Sequence, residues 1–186
     1  RLVPFLFVLF VCNFLDRTNV GIAKLQMARD LPWLSESAYG FGAGVFFLGY
    51  ALLEVPSNLI LARVGARRWI ARIMITWGII STCFMFTQGP WSYYILRALL
   101  GLAEAGFFPG IIVYFTHWFP YRVRARAMSG LIVAVPFSLA LGAPISAALL
   151  DVTWWNMKGW QWLFILEGLP AVLLGVVEGE PDDALR

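Results

Sequence analysis

The chain has 186 residues, 60% hydrophobic and only 13% charged, with a formal net charge of +3. A soluble domain of this length cannot enclose so much apolar surface, so the composition specifies a membrane protein and excludes the soluble globular classes. The small basic excess belongs in loops on one side of a bilayer, and nucleic acid is not implied as a partner.

Six apolar segments reach the roughly 20 residues that a helix needs to cross about 30 Å of hydrocarbon. They are Leu2–Ala23, Ala38–Ala62, Trp69–Gln88, Tyr93–Phe119, Ala127–Leu150 and Trp160–Val177. Short connections make neighbouring helices antiparallel. The segments are too long, and alternate too little, for a β-barrel. The predicted organisation is a six-helix transmembrane bundle over residues 1–177, followed by a tail, "EGEPDDALR", over 178–186. The first residue is Arg1 and not Met, which reads as a piece of a longer chain. Leu2–Phe14 is apolar enough for a signal-peptide core, but no A-x-A cleavage site follows it.

The first segment carries "FLDRTNVGIA", with an acid and a base, Asp16 and Arg17, side by side. At 1.5 Å per residue Asp16 lies about 21 Å from Leu2, still within hydrocarbon. The two are about 100° apart around the axis, so they need not pair; Asn13, one turn back, is within reach of Arg17. The second segment carries Glu54, the fourth Arg97 and Glu104, and the sixth Glu167. Arg97 and Glu104 are two turns apart, too far to touch but able to line one cleft. Ionised groups facing lipid cost several kcal/mol, so all of these should face a cavity or a partner. For Glu54 and Glu167, each just before a Pro or Gly, an ion pair that fixes helix register is the favoured reading. For Asp16, Arg17, Arg97 and Glu104 the favoured reading is function. The first and fourth segments open the two halves of a three-plus-three arrangement, and such repeats place their sites at the interface. Six helices alone should leave these charges facing lipid.

The fifth segment mixes Gly130, Pro136, Gly142 and Pro144 with Ser129, Ala134, Ser138 and Ala140, a pattern for close packing or for rocking. Trp154, Trp155, Trp160 and Trp162 read as an interfacial belt. Arg1, Arg63, Arg67, Arg68, Arg72, Arg122, Arg124 and Arg126 fall on one side, against Lys24, Arg29 and Lys158 on the other. That asymmetry puts both termini in the cytoplasm. Cys12 and Cys83 sit inside apolar segments without metal spacing, and no cofactor or metal is implied. One His and no Cys/His grouping point away from a membrane-embedded enzyme.

The motifs "FLDRTNVGIA", "GYALLEVPSNLILARVGARRW", "RALLGLAEAGFFPGIIVYFTHWFP", "RARAMSG" and "GWQWLFILEGLPAVLLG" cover nearly the whole chain. In order and spacing they resemble the anion:cation symporter branch of the major facilitator superfamily, whose members carry tartrate, galactonate, phthalate, allantoate and similar organic acids. The resemblance implies a twelve-helix transporter in the cell membrane, with this chain as the N-terminal six-helix half. It implies proton-coupled symport of a small organic anion, and no enzyme. Asp16 in "LDR" and Glu104 in "LAEAG" match the family's proton-coupling positions. Arg17, Tyr50 in "GYALLE" and Arg97 match positions that face the substrate carboxylate. Arg63, Gly65, Arg67 and Arg68 match the cytoplasmic gating motif, though Ala62 replaces the acid usual before them. The antiporter pattern of the fifth helix is only hinted at by "LGAPISAA", and the end of the sixth helix is short for the family. The resemblance leaves open that this stretch is a scaffold-like half, inactive without a second six-helix half or a second copy.

Overall fold

A computed structural model describes residues 2–118, 120–155 and 157–179, and among them the chain is entirely helical. The helices are α1 (Leu2–Asp30), α2 (Glu36–Val64), α3 (Ala66–Cys83) and α4 (Pro90–Glu104), then α5 (Phe107–Trp118), α6 (Tyr121–Ile132), α7 (Ala134–Leu150) and α8 (Gly159–Gly179). A 3₁₀ turn, Phe84–Phe86, extends α3. Among the described residues, five stretches are long and apolar enough to cross a membrane by length and composition: Glu36–Val64, Ala66–Phe86, Pro90–Thr116, Tyr121–Leu150 and Gly159–Val177. α1, with 29 residues, is as long as the longest single helix among them.

Two of the stretches are each built from two helices, and proline explains both divisions. Pro109 has no N–H to give the carbonyl of Ala105, and α4 ends at Glu104. Pro136 likewise has none for Ile132, where α6 ends. Hydropathy reads straight through both sites, because a break costs no apolar residues. At the other extreme, α1 continues past Ala23 to Asp30. Its polar last turns bond to neighbouring elements: Gln26 donates to the Leu150 carbonyl at 3.0 Å, and Asp30 accepts from Trp160 Nε1 at 3.1 Å.

The buried face of α1 follows the helical period: Leu9, Asn13, Asp16, Val20, Ala23 and Met27 are all withdrawn from solvent. α1 packs on α7 and α8, α2 on α4, and α3 on α8. Small residues set these distances. A Cβ on Gly101 of α4 would lie 2.1 Å from the Phe46 carbonyl of α2, so those backbones can meet only at glycine. Ser138 and Gly142 of the Pro/Gly-rich fifth span pack against α1. Large aromatic side chains, among them Trp77, Phe84, Tyr93, Phe107 and Phe164, fill the centre.

The tryptophan cluster is not one belt. Trp154 and Trp155 are exposed, but Trp160 is 3% exposed and holds α8 against the end of α1. The acidic tail from residue 180 onward, with the shortened end read from it, lies outside the described residues.

Candidate functional site

The expectation that six helices leave the membrane charges facing lipid is overturned for three of the four. α1, α3 and α4 enclose Asp16, Glu104 and Arg97, at 1%, 0% and 6% exposure, whereas Arg17 remains exposed. A cleft between α1, α2 and α4 is lined by Asp16, Arg17, Tyr39, Phe46, Arg97 and Glu104. A second cleft shares Arg17 and adds Asn13, Tyr50 and four phenylalanines, Phe10, Phe14, Phe107 and Phe108. Arg17 thus stands where a polar compartment meets an aromatic one.

Glu104 is held by α1. Its Oε2 accepts from Arg17 Nε at 2.8 Å and from Asn13 Nδ2 at 3.4 Å. Arg17 and Asn13 therefore meet through the carboxylate of another helix and not directly along α1. The other oxygen, Oε1, is buried without a hydrogen-bond partner among the described residues. The guanidinium of Arg17 lies 5.1 Å from the Tyr50 ring centre and 5.7 Å from that of Phe46, so aromatic faces support the charge from α2.

Asp16 points to α3 instead. Its carboxylate accepts from Trp77 Nε1 at 2.8 Å and from the Ser81 hydroxyl. Both donors are neutral, and neither arginine is within ion-pair distance among the described residues.

Arg97 is a buried cation with no carboxylate partner among the described residues. Its Nε donates to the Tyr93 hydroxyl at 3.3 Å, and the rings of Tyr93, Phe84 and Phe46 stand 5.5, 5.8 and 6.0 Å from its guanidinium. Ring faces attract a cation but do not neutralise it. Arg97 therefore brings its positive charge to a cleft that it shares with the Asp16 carboxylate.

Glu54 and Glu167 do not form the register-fixing ion pairs read for them. Both are half-buried, and neither has an ion pair among the described residues. Glu167 keeps one carboxylate oxygen buried without a hydrogen-bond partner among the described residues. Gly65, with φ of 94°, forms the link between α2 and α3 and adopts a conformation that side chains disfavour. Arg63 and Arg68 on either side of it are exposed, and Arg67 is half-buried.

Residue reading alone missed Trp77, Ser81, Tyr93 and Phe46. One signal for Trp77 was present: tryptophan favours the membrane interface, and this one sits in the middle of a span. Ser81 and Phe46 carry no such mark.

An all-helical fold, spans of membrane length and a polar cleft walled by α1, α2 and α4 define a multi-pass membrane protein of solute-carrier architecture. The chain belongs to the Major Facilitator Superfamily, whose family model matches residues 6–179. It is 56% identical over 178 residues to a protein of Agrobacterium vitis named "Putative tartrate transporter", covering 95% of this chain and 41% of that one. It is 46% identical over 177 residues to a quinolone resistance transporter of Acinetobacter baumannii, again 95% of this chain and 41% of the relative. The fold matches the crystal structure of a bacterial homolog to the human lysosomal transporter Spinster, in an inward-facing, unoccupied conformation. That match has a TM-score of 0.78 at 22% identity, over 95% of this chain and 41% of the other. The chain thus spans about two fifths of the length of the proteins it matches, and its fold corresponds to an N-terminal six-helix half.

Proposed function

We propose that the chain is the N-terminal half of a proton-coupled symporter for a small organic anion, acting in the plasma or inner membrane. The observation that carries this reading is Arg97: a buried cation without a carboxylate partner among the described residues, lining the same cleft as the Arg17–Glu104 pair. A carboxylate entering the cleft supplies the missing negative charge. A charged contact of this kind is worth about 1.5–3 kcal/mol, or roughly ten- to a hundredfold in affinity. The relative named for tartrate, a dicarboxylate, favours the same substrate class.

Coupling follows from the shared arginine. With the cleft empty, Arg17 is the counter-ion of Glu104. An anion that draws Arg17 away leaves Glu104 buried and uncompensated, which costs several kcal/mol unless a proton neutralises it. Glu104 therefore binds its proton with the substrate and releases it when Arg17 returns. Asp16 is the second proton-coupling acid, held by hydrogen-bond donors that serve it in either protonation state. Tyr50 holds Arg17 in place through its ring and meets the substrate with its hydroxyl.

The opposite wall of the cleft, and the body against which this one rocks, come from a second six-helix half. The bundle runs through α8, the central loop follows it, and both termini are cytoplasmic. Arg63, Gly65, Arg67 and Arg68 form the gating link on that side. Maleimide labelling of a cysteine placed at Lys158 from outside intact cells, with Arg124→Cys protected, is the expected topology result; the reverse pattern overturns it.

The functional test uses the full-length protein in proteoliposomes with labelled tartrate and a panel of sugar and aromatic acids. Acid outside should drive accumulation of at least one anion, and a protonophore should abolish it. Uptake that ignores the pH gradient would remove the coupling. Uptake confined to neutral or cationic solutes would remove the anion site.

A further inference from the structure

The division between α4 and α5 falls immediately after Glu104, and its internal chemistry is unusual. Ala105 ends α4 with φ of −56° and ψ of 127°, and Gly106 follows with φ of 87°. Pro109 cannot donate to the Ala105 carbonyl, so a buried acceptor is left without its helical partner. Ser57 of α2 supplies the bond: its hydroxyl donates to the Ala105 oxygen at 2.7 Å. Contact is so close that a Cβ on residue 106 would lie 2.2 Å from Ser57 Oγ, which leaves room for glycine alone.

Ser57 is itself held. Trp69 Nε1, one turn into α3, donates to Ser57 Oγ at 2.9 Å. The Trp69 backbone N–H bonds the Gly65 carbonyl at 3.2 Å, and the guanidinium of Arg72 covers the Trp69 ring at 4.3 Å. One unbroken chain of contacts therefore runs from the α2–α3 link through Trp69 and Ser57 to the residue next to Glu104. Ser57 is 5% exposed and Ala105 0%, so water does not compete for these bonds.

We infer that Ser57 and Trp69 are positioning residues: they hold the α4–α5 break so that the state of Glu104 is transmitted to the α2–α3 link. The break is the pivot. A Glu104 carboxylate that loses Arg17 is free to shift with the end of α4, and the Ala105 carbonyl moves with it. Ser57 carries that displacement to Trp69, whose indole sits one turn from Gly65. This inference rests on Glu104 being the acid that changes partner during transport. Its predicted signature is a coupling between two places and not a loss of either.

The test uses the full-length protein with its native cysteines replaced and one cysteine introduced at Ala62, beside the link. The rate of alkylation by a water-soluble maleimide is measured with Glu104 and with Glu104→Gln. Glu104→Gln should change that rate by about two- to tenfold, the range that one hydrogen bond supports. In Ser57→Ala the two rates should become equal. In Trp69→Phe, which keeps an aromatic ring beside Arg72 but loses the indole N–H along with part of the ring, the difference should shrink without vanishing. A Glu104→Gln effect of full size in both Ser57→Ala and Trp69→Phe overturns the inference, and so does a link that never responds to Glu104→Gln. Failure of the transport reading is seen separately, as gradient-driven accumulation that survives Glu104→Gln.

Discussion

Asp16 and Glu104 line the same cleft and are equally withdrawn from solvent, yet they are held in different ways. Asp16 accepts hydrogen bonds from two neutral side chains of α3, Trp77 and Ser81. Glu104 accepts from a cation and an amide of α1, and leaves its second oxygen without a partner among the described residues. Neutral donors tie a carboxylate down without fixing its charge. An arginine partner makes the charge of the carboxylate depend on where the arginine goes. Burial alone therefore does not say what an intramembrane acid does; the charge and mobility of its partner do.

The largest effect that sharpens this contrast is expected from Arg17→Ala. It removes the partner of Glu104 and, in the proposed mechanism, of the substrate, so uptake by the full-length protein should nearly vanish. It also leaves a buried carboxylate without its counter-ion, at a cost of about 3–5 kcal/mol. Thermal unfolding in detergent should therefore occur at lower temperature, and adding Glu104→Gln should restore the midpoint but not the uptake. A single Arg17→Ala variant as stable as the parent would show that Glu104 does not depend on this pair.

Next comes the comparison of Glu104→Gln with Asp16→Asn. Each mimics a protonated acid, and each should keep substrate exchange while losing accumulation driven by a pH gradient. The amide oxygen of Asp16→Asn can still accept from Trp77 and Ser81, so a loss there reports protonation and not folding. If both variants still concentrate substrate, coupling lies elsewhere, with the half-buried Glu54 and Glu167 as the next candidates.

A smaller effect is expected on the α3 side. Trp77→Phe removes one donor to Asp16 and leaves a buried acceptor short of a bond, at about 1–3 kcal/mol. Its mark should be a lower unfolding midpoint, with accumulation ratios preserved in the protein that remains folded. Loss of gradient coupling at unchanged stability would make Trp77 part of the proton path and weaken the contrast between the two acids.

The smallest effect belongs to Tyr50. Tyr50→Phe keeps the ring beside Arg17, so substrate affinity should fall by a few-fold at most. Tyr50→Leu also loses a cation–ring contact of about 0.5–2 kcal/mol and should fall further. Equal affinities in the two variants would mean that the ring contributes nothing to holding Arg17.

The class of protein was legible before any coordinates, and so were the charged residues that the fold gathers at one cleft. Lipid cannot solvate a charge, so Asp16, Arg17, Arg97 and Glu104 stand out against apolar neighbours without any knowledge of packing. The ordered motifs around them carried the superfamily. Span ends and breaks were less legible. Hydropathy counts residues that suit lipid, whereas a helix ends where its hydrogen bonds end, as at Ala105 before Pro109 and at Asp30 beyond the apolar stretch.

Partnership was decided by tertiary structure alone. Arg17 and Asp16 are adjacent in the chain, yet one turns to Glu104, 87 residues away, and the other to Ser81, 65 residues away. Adjacent helical residues point about 100° apart, so neighbours in sequence are delivered to different helices. Which helix each meets depends on how α1 is rotated between α3 and α4. The Leu9–Met27 face of α1 and small residues on its neighbours, such as Gly142 of α7 against Leu15, set that rotation. The serines make the same point in reverse. Ser57 and Ser81 carry no charge for lipid to reject, so nothing in their composition marks them; their importance comes entirely from the Ala105 carbonyl and the Asp16 carboxylate that the fold brings within hydrogen-bond reach.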